Sequence, residues 1–130
     1  MSGLEHLLEE DRIFLERKGW DVDITPVGDP PAREMLVVIN NFSLSGKYTP
    51  ASIELLVRLS PGYPASPIDS WWTYPRISLN TNPPHQPEGA TGENTFLDKS
   101  WQYWSRHPNW RSGIDNLETF MAIAIKELQM

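Results

Sequence analysis

An α+β fold is predicted from two observations. Apolar residues recur at helical spacing near each end of the chain, and they alternate with polar ones at the two-residue period of strands between residues 21 and 59. A third observation shapes the rest. From residue 60 onward the alternation gives way to prolines, glycines and tryptophans, so a long irregular segment separates the strands from the closing helix.

The first helix is expected over residues 2–18. Ser2 and Glu5 have the spacing of a capping box, in which each side chain satisfies a free amide of the first turn. Leu4, Leu7, Leu8, Phe14 and Leu15 form the apolar stripe, Gly19 is the left-handed stop, and Glu5, Glu9, Glu10, Glu16, Arg17 and Lys18 face water. Strands follow at residues 21–25, 34–42 and 52–59. The second contains Met35-Leu36-Val37-Val38-Ile39, a run suited to a strand covered on both faces. Residues 43–48 read as a hairpin connection turning at Gly46. A fourth short strand is expected at Arg76-Ile77-Ser78-Leu79, which completes a four-stranded antiparallel meander. Residues 80–98 read as a long active-site-type loop, because a structureless stretch of that length in a compact domain is usually functional. The second helix closes the chain. Ser112 and Asp115 resemble its cap, Leu117, Phe120, Met121, Ala124 and Leu128 form its apolar face, and Ile114, Ile123 and Ile125 widen that face.

Residues 1–130 make a single domain with room for its own core. Eleven basic against 17 acidic residues leave a net charge of −6, which repels phosphate backbones and argues against nucleic acid as a partner. Cysteine is absent, so disulfides, thiolate metal sites and a cysteine nucleophile are excluded. Three scattered histidines do not make a metal site, and no phosphate-binding glycine motif or Gly-x-Ser-x-Gly elbow occurs, so neither a metal nor a cofactor is expected. No apolar run is long enough to span a membrane, and the start lacks the features of a signal peptide or a myristoylation site. A cytoplasmic protein without membrane partners is expected.

Two clusters hold the residues able to do chemistry. Pro61-Gly62-Tyr63-Pro64-Ala65-Ser66-Pro67 reads as a structural corner, with the Tyr63 ring and hydroxyl bracing the turn. Trp101-Gln102-Tyr103-Trp104-Ser105-Arg106-His107, closing at Trp110, is either a small aromatic core under the long loop or a site. As a site it offers Ser105 and His107, two apart and so on one face of an extended segment. A hydroxyl needs a base within hydrogen-bond reach to become a nucleophile, and histidine suits that task near neutrality. Arg106 is the candidate for holding a carboxylate or a C-terminal tail. Trp101, Trp104, His85 and Tyr63 are the candidate binding residues around it. Spacing alone names no third residue to orient the histidine.

The order of elements and motifs resembles the ubiquitin-conjugating (UBC) superfamily. The matching residues are Tyr63-Pro64-Ala65-Ser66-Pro67, then Pro75-Arg76-Ile77-Ser78-Leu79-Asn80-Thr81, and Trp110 ahead of the last helix. The fuller pattern resembles a prokaryotic branch, family E, through Pro61-Gly62-Tyr63-Pro64, Asp69-Ser70-Trp71-Trp72, the block from Trp101 to His107, and Trp110 to Leu117. The resemblance implies a UBC-like fold and a bacterial ubiquitin-like conjugation pathway. Its implied partners are a ubiquitin-like protein, a ThiF-like activating enzyme and a JAB-type or other isopeptidase.

The usual enzymes of the superfamily hold a ubiquitin-like protein as a thioester on cysteine, which is impossible here. His107-Pro108-Asn109 spells the superfamily's His-Pro-Asn motif but lies directly before Trp110, where the motif is out of place and reads as coincidental. Alignment puts the lost cysteine near Gln102, which cannot serve, with Ser100 and Ser105 flanking it and Thr95 farther away. Three readings follow. One is a transferase carrying the ubiquitin-like C-terminus as an oxyester, on Ser105 with His107 as base and Arg106 or Asn109 as electrostatic aid. The second is a non-catalytic adaptor of the same fold, docking partners through its sheet and first helix. The third is an interaction domain outside any conjugation pathway.

Overall fold

A computed structural model describes residues 3–30 and 32–130. A single 3-10 turn (Leu4–His6) precedes helix α1 (Glu9–Lys18). Strands β1 (Asp21–Val27), β2 (Glu34–Ser43), β3 (Tyr48–Thr49), β4 (Ser52–Leu59), β5 (Trp71–Tyr74), β6 (Ser78–Leu79), β7 (Gly92–Phe96) and β8 (Lys99–Trp104) follow, and helix α2 (Leu117–Gln129) closes the order. One antiparallel sheet of six strands runs β1-β2-β4-β5-β8-β7, and β3 pairs with β6 in a separate ribbon. Both helices contribute to the core on one face of the sheet, giving the α+β, UBC-like arrangement expected from the sequence.

The N-terminal helix is interrupted. Leu7 and Leu8 are extended, so the start of the segment leaves the helix axis. Gly3 approaches β1 so closely that a Cβ there would sit 2.6 Å from the Ile24 carbonyl oxygen. Ser2, half of the expected capping box, lies outside the described residues. Gly19 does end α1 in the left-handed region, at φ 70°. Of the expected stripe Phe14 and Leu15 are buried, and Leu8 is exposed.

β2 is buried on both faces, as its apolar run predicts. Val37 and Ile39 join the main core, and Leu36 and Val38 join a second cluster on the far face with Leu56, Trp72 and Trp101. Between Ile39 and Phe42 the register shifts, and Asn41 takes the positive φ of the irregularity.

Three expectations about the second half need correction. The fourth strand of the main sheet is β5; residues 78–79 belong instead to the small ribbon. The region read as loop 80–98 contains β7, which forms a hairpin with β8, and Phe96 of that hairpin folds onto the Trp72 ring at 5.1 Å. Helix α2 starts after Asn116, which makes a capping box with Thr119, rather than at Ser112 and Asp115. The Asp115 carboxylate instead accepts from the Arg111 backbone and guanidinium, which hold its pKa down at about 2. The five residues of the α2 face are buried as expected, whereas Ile114 and Ile123 are exposed.

Two polar side chains tie the elements together. The Gln102 side chain is fully buried and makes four hydrogen bonds. Its Oε1 accepts from the Thr73 hydroxyl and the Ile77 amide, and its Nε2 donates to the Ile77 and Ala90 carbonyls. Tyr63 donates to Asp11 Oδ2 (2.8 Å) and accepts from the Leu117 amide (2.7 Å), joining α1, the proline corner and the first turn of α2. Burial raises the Asp11 pKa from 3.8 to about 6, outweighing the lowering effect of the Tyr63 hydrogen bond.

Gln102→Ala strands several buried partners, so a loss of about 3 kcal/mol or more in urea unfolding is expected. Between pH 4 and 6 the folded state binds more protons at Asp11 than the unfolded chain does, so the Asp11 contribution makes stability fall as pH rises. Its full size is on the order of 3 kcal/mol at ~1.4 kcal/mol per pH unit. Asp11→Asn should flatten that part of the stability–pH curve, and an unchanged curve would contradict the assignment.

Candidate functional site

The site lies just past the end of β8. Trp71 pairs with Trp104 at the end of the β5–β8 ladder, and the contact continues beyond it. The His107 amide donates to the Asp69 carbonyl (2.8 Å), and the Ser105 amide donates to the Gly89 carbonyl (2.9 Å). The segment after β8 is therefore clamped between the residues preceding β5 and those preceding β7. Gly89 is required there: its φ is 73°, and a Cβ would come within 2.7 Å of Arg106 Nη1.

This clamping brings three exposed polar side chains into line. Ser105 Oγ lies 3.0 Å from His107 Nε2, and His107 Nδ1 lies 2.8 Å from Asp69 Oδ2. A carboxylate can only accept, so Nδ1 carries a hydrogen. In the neutral ring Nε2 then holds the free lone pair, and the Ser105 hydroxyl donates to it. The pairing of Ser105 with His107 expected from their spacing is present. It is reached with His107 in the left-handed region (φ 44°), a conformation uncommon for a side chain of this size.

Two open spaces flank the line. Ser105 borders a cleft of about 430 Å³ with Tyr48, Leu79, Pro87, Glu88 and Glu127. Asp69 borders a cavity of about 500 Å³ walled by Arg58, Trp72, Glu93, Asn94 and Tyr103.

The other sequence candidates occupy different places. Arg106 is engaged from behind: it forms a two-point ion pair with Glu127 (2.8 and 2.5 Å) and lies over the Trp71 and Trp104 rings. Its Nη1 also donates to the Ser105 carbonyl (3.1 Å). Trp104 is in the main core and Trp101 in the second cluster, on opposite faces of the sheet, so neither offers an open binding surface. The Trp104 Nε1–H is satisfied by Thr73, and that of Trp101 by the Phe96 carbonyl. Tyr63 is committed to Asp11 and Leu117, and burial raises its phenol pKa. His85 meets the Thr81 hydroxyl rather than Ser105. Ser100 and Thr95 pair across the β7–β8 hairpin, where the described contacts include no imidazole. Asp69 was not singled out for chemistry from the sequence. Its one signal was its place in Asp69-Ser70-Trp71-Trp72, a motif without an assigned role. Among the described residues no cluster of three or more His, Cys, Asp or Glu suits a metal ion, and no helix is long and apolar enough to cross a membrane.

The model of the family described as prokaryotic E2 family E matches residues 7–130. The chain belongs to that family. No curated protein and no solved structure matches it. As an E2-like protein it has a role in ubiquitin-like conjugation, and a ubiquitin-like protein and an activating enzyme are its partners in general terms. The Arg106 guanidinium ties the end of β8, beside Ser105, to Glu127 of α2.

Arg106→Ala removes a bidentate pair and two ring contacts and leaves Glu127 alone, so a loss of about 2–3 kcal/mol is expected in denaturant unfolding. Arg106→Lys should recover little of it, because an ammonium cannot reproduce the planar fork.

Proposed function

We propose that this E2-like protein accepts the C-terminus of a ubiquitin-like protein as an oxygen ester on Ser105, with His107 as the base. The observation that supports this reading is an exposed hydroxyl 3.0 Å from an imidazole nitrogen, in a chain without cysteine. In the first step Ser105 Oγ attacks the activated C-terminal carbonyl carbon and passes its proton to His107 Nε2. A C–O bond forms, the bond to the activating group breaks, and that group leaves with the proton from His107. In the second step the amine of an acceptor attacks the ester carbonyl carbon and gives a proton to His107 Nε2, and the Ser105 oxygen leaves with the proton that His107 returns. An oxygen ester is less reactive toward amines than a thioester, so the site depends on positioning more than on leaving-group ability. Arg106 contributes by fixing the Ser105 carbonyl from behind. The activating enzyme in this reading is ThiF-like, and an isopeptidase serves the same pathway.

A second reading, a non-catalytic adaptor, is favoured by the missing cysteine alone. It would dock partners through the sheet and first helix. On the far face of the sheet Leu36, Val38, Leu56, Trp72 and Trp101 are buried with Phe96 and Tyr103 packed on them, and the cavity of about 500 Å³ opens beside Trp72 and Tyr103.

The test mixes the protein with its cognate activating enzyme, ubiquitin-like protein and ATP. The expected product is a one-to-one adduct that resists thiol reductant and is cleaved by hydroxylamine. Ser105→Ala should abolish it with unchanged thermal stability. His107→Gln should slow its formation on the order of 10²-fold while partner binding is kept. Binding without any adduct would establish the adaptor instead.

A further inference from the structure

The pairing of Ser105 with His107 ends on a group that the carrier reading does not use. Asp69 Oδ2 sits 2.8 Å from His107 Nδ1, and the Asp69 carbonyl separately accepts the His107 amide. One residue thus holds both the backbone and the ring of the base. The backbone contact fixes where His107 sits at its positive φ, and the carboxylate fixes which ring nitrogen is free.

We propose that Asp69 is a positioning residue that completes a Ser105–His107–Asp69 relay, and that the relay makes the protein a partner-independent acyl transferase toward small activated esters, with water as acceptor. The proposal rests on the same nucleophile and base as the carrier reading, but it needs neither activating enzyme nor ubiquitin-like protein. The cleft of about 430 Å³ beside Ser105 is large enough to admit a short acyl group.

The steps balance without any further reagent. Ser105 Oγ attacks the ester carbonyl carbon, its proton moves to His107 Nε2, and the alcohol or phenol of the ester leaves with that proton. Water then attacks the acyl-Ser105 carbonyl, giving a proton to His107 Nε2. The acid departs, and the Ser105 oxygen recovers its proton from the imidazolium. Throughout, Asp69 keeps Nδ1 protonated and stabilises the imidazolium that forms after each transfer. An asparagine at position 69 would offer an amide N–H to Nδ1, favouring the tautomer whose Nε2 carries hydrogen and cannot accept the serine proton.

The experiment uses the purified full chain alone. A fluorophosphonate probe reports the nucleophile: phosphorus–oxygen bond formation at Ser105 expels fluoride. p-Nitrophenyl acetate reports turnover by release of nitrophenolate. The expected result is labelling at Ser105 located by mass spectrometry, lost in Ser105→Ala and reduced at least ~10-fold in His107→Gln and Asp69→Asn. Asp69→Glu should restore most of the rate. Thermal melting of Asp69→Asn should match that of the parent, since the Asp69 carbonyl bond to the His107 amide is kept. Full labelling in Asp69→Asn would overturn the role of Asp69. Labelling of Ser105→Ala equal to the parent, or no labelling at all, would overturn the activity. The carrier reading is separable. A partner-dependent adduct on Ser105 without probe labelling leaves the carrier and removes the independent activity. Labelling without an adduct does the reverse.

Discussion

The structure depends on the pairing of β5 with β8 in one register, enforced by the buried Gln102 side chain. Its four hydrogen bonds reach β5, the Ile77 backbone and the Ala90 carbonyl at once. A slip of one residue would turn Gln102 toward the other face and leave those buried partners unsatisfied. The same register stacks Trp71 on Trp104 in the core, with ring centroids 6.0 Å apart. Past its end, two residues back from Trp71 on one side and three on from Trp104 on the other, the His107 amide donates to the Asp69 carbonyl. The site is therefore the continuation of a ladder whose position is decided in the core.

Behind that ladder the frame is held by hydrogen-bonded polar groups. Arg106 joins the end of β8 to α2 through Glu127, and Tyr63 joins α1, the proline corner and α2 through Asp11 and the Leu117 amide. These contacts are buried or half-buried, where a broken hydrogen bond is expensive. Ser105, His107 and Asp69 stand outside the frame in solvent. Their side chains contribute little burial, so their replacement is expected to cost the fold little. The positive φ of His107 is the one strained feature at the site, and it is tolerated because backbone bonds on both sides fix the segment.

Legibility differed from element to element for physical reasons. β2 and β4 were evident because burial on one or both faces leaves a periodic apolar pattern. β5 was missed because Trp71-Trp72-Thr73-Tyr74 is short and flanked by prolines, and looked like part of an irregular crossing. β7 was missed because Phe96 is the one large apolar residue among its five and the strand lies at the sheet edge, where little burial is demanded. Ile114 was placed on the buried face because the helix was expected to start at Ser112, whereas it lies in a turn ahead of α2; Ile123 is in α2, where helical spacing cannot show how far the packed face extends. The same limit explains Trp101 and Trp104. Aromatic content announced a cluster, but only the strand register shows that the two rings fall on opposite faces.

From the sequence alone come the α+β class, the family resemblance, the exclusion of cysteine chemistry and the pairing of Ser105 with His107. Each rests on local spacing or on composition, which the chain carries without folding. Tertiary structure alone decided that Asp69, more than thirty positions earlier, meets the far side of the same imidazole. It also decided that Arg106 turns inward to Glu127. Both outcomes follow from strand pairing between distant segments, and no local pattern records which segments will pair.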